Sequence, residues 1–204
     1  MQLYFRPFAC SLASRIALIE TGHDAEYRHV DGHTLDDGND FHAVNSLGYV
    51  PALDIGETEA LTENTAVLQY IADSAPEANL LAPVGTPERY RTLQWLGFVA
   101  TELHAKTFAN LFDPKLSDEA KAHVRDKSVA RFARLAEHLE GRDFLVGEHF
   151  TIADAYLVAV LNWCEYVGLD IRPWPVIGAY RTGLRGRPSV AQAIADERPL
   201  LKVA

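Results

Sequence analysis

Over residues 152–167 the chain is apolar on nearly every side. A helix of that kind cannot lie on a surface; it belongs at the centre of a bundle, enclosed by other helices. Thr151-Ile152-Ala153-Asp154 opens it as an N-terminal capping box, with Asp154 where Glu is more usual. Phe150 and Ala155 are spaced for a hydrophobic staple. The flanking sequence supplies the shell. Residues 87–111 read as one long helix with Leu93, Leu96, Val99 and Ala100 at three- and four-residue spacing. Residues 117–139 read as a second, with Ala122, Val129, Phe132, Leu135 and Ala136 on one side. Two shorter helices over 176–184 and 189–196 complete the bundle.

Before residue 75 the pattern is different. A strand over 2–5 precedes a helix over 11–21 closed by Gly22, and 26–30 has β character, which together make a βαβ unit. Residues 31–40 are polar and glycine-containing, hence loop, and a short helix follows near 40–45. Strands over 52–55 and 59–61 form a hairpin around Gly56, and a helix over 63–74 ends before Pro76. The order βαβ then ββα indicates an α/β thioredoxin-like domain. The expected organisation is therefore a thioredoxin-like domain over 1–80, a proline-containing linker over 81–85, and an all-α helical bundle over 86–204.

The composition narrows the function. The chain has 204 residues, of which 28 are acidic and 19 basic, giving a charge of −9. Nucleic acid and anionic membrane are poor partners for such a surface. Two cysteines, Cys10 and Cys164, are too few for a disulfide framework and suit a reducing cytoplasm. Residues 1–7 lack the basic and apolar regions of a signal peptide, and no apolar run reaches membrane-spanning length. A soluble cytoplasmic protein is expected, with no metal called for.

Three local features carry chemistry. Cys10 stands between the first strand and the first helix, where the positive helix end favours thiolate; Ser11 is placed to cap the same helix. No second cysteine lies three residues away, so a dithiol couple is excluded. Pro51 cannot donate a backbone hydrogen bond and turns the chain at a strand entrance, leaving the main chain of Val50 free to pair with an extended peptide. Glu63-Asn64 opens a helix whose N–H groups and positive end suit a small carboxylate.

The stretches Tyr4-Phe5-Arg6-Pro7-Phe8-Ala9-Cys10-Ser11, Asn45-Ser46-Leu47-Gly48-Tyr49-Val50-Pro51-Ala52-Leu53 and Leu61-Thr62-Glu63-Asn64 resemble the N-terminal half of cytosolic glutathione S-transferases. Cys10, the segment around Glu102 and His104, and the capping box are similar to the bacterial Beta class. The resemblance implies a homodimeric transferase that uses glutathione as co-substrate. Ser11, Tyr49, Val50, a cis Pro51, Glu63, Asn64 and, across the dimer, Glu102 would contact glutathione, with Cys10 and His104 beside its sulfur. Candidates for the apolar pocket are Tyr4, Phe8, Phe108, Leu111, Phe112 and Trp163. The chain departs from the class at Asn64, often Ser, at Gly97 in place of an asparagine, and around His33-Thr34, where a basic residue is expected. Ala105 also separates His104 from Lys106, turning the lysine about 100° further round the helix.

The reading implied is conjugation of the glutathione thiolate to small hydrophobic electrophiles. Thiol–disulfide exchange or reductive chemistry through Cys10, and a non-catalytic binding module, are the alternatives. Cys164 is expected to be buried and inert. Arg181, Arg185 and Arg187 are expected to form a solvated basic surface, and residues 88–91 to contribute to a dimer interface.

Overall fold

The computed structural model describes residues 1–201, so the last three residues of the expected 86–204 span lie outside it. Strand β1 (Gln2–Phe5) runs parallel to β2 (Glu26–Asp31), with Leu3 opposite Tyr27, and helix α1 (Ser11–Thr21) makes the crossover. Strand β4 (Ala52–Asp54) pairs antiparallel on the other side of β1, and β3 (Thr34–Leu35) closes the opposite edge, giving the order β3-β2-β1-β4. As a central strand, β1 buries both its faces. Leu3 and Phe5 join the main core, while Tyr4 packs with Val30, Leu35, Phe41 and Ala52 in a smaller cluster behind the sheet. Helix α2 (Asn64–Asp73) covers the same face of the sheet as α1.

Two details of this half differ from expectation. The segment expected to be a loop contains β3, because Gly32 takes a left-handed φ of 62° and Gly32-His33 form a two-residue turn between the paired Asp31 and Thr34. The strand expected over 59–61 is reduced to one bridge, in which Leu53 and Leu61 exchange backbone hydrogen bonds of 2.8 Å. Glu57, Thr58 and Glu59 stay exposed in the connecting loop rather than extending the ladder.

In the helical half, Thr86 caps α3 (Pro87–Phe98) by accepting the Arg89 N–H at 3.3 Å, and Pro87 fills the first turn. The helix runs on without a break through a π-helical stretch (Val99–Ala109) into α4 (Asn110–Phe112). Ser117 caps α5 (Asp118–Leu139), whose buried seam is Ser128, Phe132, Leu135, Ala136 and Leu139. Ala122 and Val129 face solvent instead, because that seam passes to the other side of them. All ten residues of α6 (Ile152–Leu161) are buried, as its apolar composition requires, and α7 (Pro175–Arg185) and α8 (Pro188–Glu197) pack beyond it. Among the described residues no helix is long and apolar enough to cross a membrane.

Partly buried ion pairs tie the halves together. Arg89 makes two 2.8 Å bonds to Asp73, and Arg187 grips Glu20 at 2.6 and 2.7 Å. Arg187 is therefore a tether between the two halves and not part of a solvated patch; Arg181, itself largely covered, donates to the exposed Glu165 at 2.9 Å. Arg89, in the stretch expected at a dimer interface, is largely buried within its own chain.

The capping box of α6 has a wider reach than a cap. Asp154 is fully buried and accepts from the Thr151 N–H (2.8 Å), the Thr151 hydroxyl (2.7 Å), the Leu145 N–H (2.8 Å) and the Tyr180 hydroxyl (2.6 Å). It joins the start of α6, the 145 loop and α7 at one point. Asp154→Ala leaves these donors unsatisfied and is expected to destabilise the fold by about 2–4 kcal/mol. Denaturant unfolding at fixed protein concentration checks this, and a loss no larger than that of an exposed Asp→Ala control would contradict it.

Candidate active site

A cavity of about 1260 Å³ opens between the two halves. One wall is built by residues 6–10, residues 49–51 and the mouth of α2. The other is built by the α3 face and its π-helical continuation, with Tyr156 and Trp163.

Cys10 is the cap residue of α1, and its Sγ donates to the Val50 carbonyl at 3.2 Å. Burial pushes the thiol up to about 12, although the N–H groups of Cys10 and Ser11 and the Arg6 charge pull the other way. Helix-end donors do not offset desolvation here, so Cys10 is a neutral thiol and not the thiolate expected from its position. Ser11 corrects a second expectation. Its side chain is fully buried and does not line the cavity. The hydroxyl donates to the Arg6 carbonyl at 3.2 Å and accepts the Arg6 N–H at 3.3 Å, fastening the loop that leads into α1.

The Val50–Pro51 peptide is cis. The Val50 N–H has no hydrogen-bond partner among the described residues, while the Leu53 carbonyl and N–H just beyond are paired. The approach to this edge is shaped by Gly48, with φ 67°. A Cβ there would lie 2.7 Å from the His33 ring, so only glycine fits. Asn45 Nδ2 donates to the Tyr49 carbonyl at 2.8 Å, and the Tyr49 ring stands exposed at the cavity rim.

Glu63 caps α2 with φ 62°, a conformation that non-glycine residues adopt at a cost, and its side chain is exposed toward the cavity. Asn64 is buried and its side chain is already engaged: Nδ2 donates to the Cys10 carbonyl at 3.1 Å and Oδ1 accepts from Ser14 Oγ at 2.7 Å. Beyond the Glu63 carboxylate, the α2 mouth therefore offers backbone N–H groups to a ligand, as any helix start does. Arg6, not singled out in the sequence, also borders the cavity; its Nη2 donates to the carbonyls of Gly32 and Gly48.

His104 lies on the π-helical stretch with Nδ1 2.6 Å from the Tyr156 hydroxyl and its ring edge-on to Trp163 at 4.9 Å. Burial lowers its pKa, so the ring is neutral. Burial, and next the proximity of Cys10, raises that of Tyr156, so the hydroxyl stays protonated. Tyr156 is not among the residues singled out from the sequence. The available signal was a phenol inside an otherwise apolar helix, which needs a hydrogen-bond partner wherever it is buried.

Phe8, Phe112 and Trp163 line the apolar end together with Leu93, Ala100 and Tyr166. Phe108 does not. It is fully buried behind Trp163, at 5.5 Å between ring centres, and Leu111 and Tyr4 are likewise core residues. Gly97 forms a recess in the wall, since a Cβ there would meet nothing within 4 Å. Glu102 faces away from the cavity of its own chain, held by Lys106 Nζ at 2.5 Å and Arg131 Nε at 2.9 Å; Lys106 is on that far side as well. Cys164 is buried, and burial pushes its thiol up to about 12. Among the described residues no three His, Cys, Asp or Glu side chains are grouped to hold a metal ion.

The same fold recurs in known proteins. Residues 1–73 match the family description "Glutathione S-transferase, N-terminal domain", and residues 98–188 match "Glutathione S-transferase, C-terminal domain". Glutathione S-transferase GstA of Escherichia coli O157:H7 is 42% identical over 97% of this chain and 98% of its own length. A sphingomonad glutathione S-transferase solved in complex with glutathione is 44% identical and superposes with a TM-score of 0.92, covering 97% of this chain and 99% of the other. The bacterial beta class enzyme of Sphingomonas chungbukensis is 41% identical with a TM-score of 0.91, covering 97% and 98%. With the cavity built from the same two halves, the chain belongs to the glutathione S-transferase family.

Proposed function

We propose that the cavity binds glutathione along residues 49–51 and conjugates its thiolate to a small hydrophobic electrophile seated against Phe8, Phe112 and Trp163. One observation carries this reading. The unpaired Val50 N–H, the Cys10 thiol, the Glu63 carboxylate and the α2 mouth all border one cavity whose remaining wall is apolar. The Val50 backbone pairs with the cysteinyl unit as a sheet edge would. Glu63 takes the γ-glutamyl ammonium, and the α2 N–H groups take the neighbouring carboxylate. Tyr49 closes over the peptide. Residues 1–80 form the glutathione half, 81–85 the linker and 86–204 the electrophile half.

In this scheme the nucleophile is the sulfur of bound glutathione. A protonated Cys10 donates a hydrogen bond toward that sulfur and holds its negative charge without attacking anything itself. The Tyr156 hydroxyl donates to His104 Nδ1, which leaves the ring proton on Nε2 as a second donor. The protein acts as a cytoplasmic homodimer, with Glu102 serving the glutathione bound to the partner subunit. Phe108 supports the pocket from behind Trp163.

Calorimetry should show one glutathione bound per chain, and Glu63→Ala should weaken it about 10- to 100-fold through loss of a charge-assisted hydrogen bond. Absence of glutathione binding by the folded wild type would sink the assignment. A second measurement probes the state of Cys10. With its pKa pushed up to about 12, its thiolate fraction at pH 7.5 is roughly a thousandfold below that of a free cysteine. Iodoacetamide should leave the native chain unmodified in the time that labels both cysteines in guanidinium. Rapid labelling of native Cys10 would restore thiol exchange as the leading chemistry.

A further inference from the structure

The loop from Arg6 to Cys10 contains a residue in an unfavourable conformation. Phe8 has φ 58° in the left-handed region, where a side chain is disfavoured and which persists only when neighbours impose it. Both polar groups of that residue's main chain are held by the helical half. The Phe8 carbonyl accepts from Trp163 Nε1 at 2.7 Å, and the Phe8 N–H donates to Glu197 Oε2 at 2.6 Å. Glu197 is the last residue of α8, is fully buried, and does not itself line the cavity.

The Glu197 carboxylate is itself anchored. Its Oε1 accepts from Arg15 Nε at 3.0 Å, and the Arg15 guanidinium lies over the rings of Phe5 (4.3 Å) and Tyr27 (3.9 Å). Arg15 and Asp196 are the charged groups facing the carboxylate, with the Tyr27 hydroxyl-bearing ring beneath. Burial pushes the Glu197 carboxyl up to about 7, against the pull of the Phe8 N–H and Arg15. A carboxylate is costly to bury, and the group that this one reaches at the cavity is the Phe8 N–H.

We propose that Glu197 is a positioning residue for the electrophile wall: clamped by Arg15 and acting on the Phe8 N–H, it holds residue 8 in its left-handed conformation. That places the Phe8 ring and its bonded partner Trp163 as one rigid surface. The glutathione contacts at Val50, Glu63 and the α2 mouth do not pass through this clamp. Loss of Glu197 therefore separates the two substrates, whereas a general loosening of the fold would weaken both together. The inference rests on the transferase reading of the cavity.

The test uses the full chain with Glu197→Ala and Glu197→Gln, an activated aryl halide as electrophile, and glutathione binding measured separately by calorimetry. In Glu197→Ala, kcat/KM for the aryl halide at saturating glutathione should fall about tenfold while the glutathione Kd stays within about twofold. Glu197→Gln keeps an acceptor for the Phe8 N–H and should recover most of the loss. Equal losses for both substrates, or no loss in a folded Glu197→Ala, would overturn the proposal. Should the alanine variant fail to fold, the Phe8 amide proton in ¹⁵N-labelled protein decides. It should move upfield in Glu197→Gln, where the acceptor is neutral, and an unchanged resonance rejects the clamp. That signal needs no substrate, so a wild type that fails to bind glutathione would count against the transferase reading alone.

Discussion

Helix α1 is enclosed over eight consecutive residues, Ser11 to Leu18, and the geometry of the whole chain follows from what encloses it. It lies against the sheet and α2 on one side and against α6 and α8 on the other. It is therefore a core helix of both halves at once. Interfaces between domains of one chain are commonly polar and permit relative movement. This one is closed over a shared helix, so the two walls of the cavity are held in fixed relation. Burial on all sides also means that each polar side chain of α1 needs a partner inside the protein. Ser11 finds the Arg6 backbone, Ser14 finds Asn64, and Arg15 finds Glu197. Those three bonds fix, in turn, the loop before Cys10, the mouth of α2 and the last helix.

That enclosure explains which parts of the chain could be read from its sequence. Segments whose side chains repeat with a helical or strand period were legible: β1, α1, α2, the central α6 and the two terminal helices lie within a residue or two of their expected limits except where α6 gives way to a 3₁₀ turn over Asn162–Cys164. The two-residue strand β3 carries too few side chains to show a period, and only the Gly32-His33 turn betrays it. The π-helical winding of Val99–Ala109 is a property of backbone hydrogen bonding that no residue type there announces. It has consequences for the site. Phe108 and Phe112 are four apart and would share a face in an α-helix. With the passage from π to α winding between them, one turns into the core and the other toward the cavity.

The site shows the same division. Residues recognisable by backbone role, Val50, Pro51 and the start of α2, are gathered at the cavity together with Cys10 and His104. Residues chosen for their side-chain chemistry were less predictable, because partners distant in sequence compete for them. Ser11 and Asn64 have the right functional groups, but a fully packed α1 consumes them first. The same competition turned Arg187 from a surface charge into a tether on Glu20. Glu197 was invisible for the converse reason. Nothing within a glutamate at a helix end reveals that a peptide 189 positions earlier depends on it.

The state of Cys10 bears on which sulfur reacts. Two thiols placed side by side in a poorly solvated site cannot both ionise, since the second negative charge would meet the first. The proton is kept by the group with less solvent and fewer donors. Cys10 is buried at the root of α1 and already directs its proton to the Val50 carbonyl, whereas an incoming thiol would sit in a cavity open to water and bordered by a neutral imidazole and a protonated phenol. Desolvation thus disarms the protein's own cysteine while the cavity's donors remain available to the ligand's. A hydrogen bond moved from the Val50 carbonyl to the arriving sulfur would exchange one acceptor for a charged and stronger one. In that exchange a cysteine unable to act as a nucleophile becomes useful because it stays protonated.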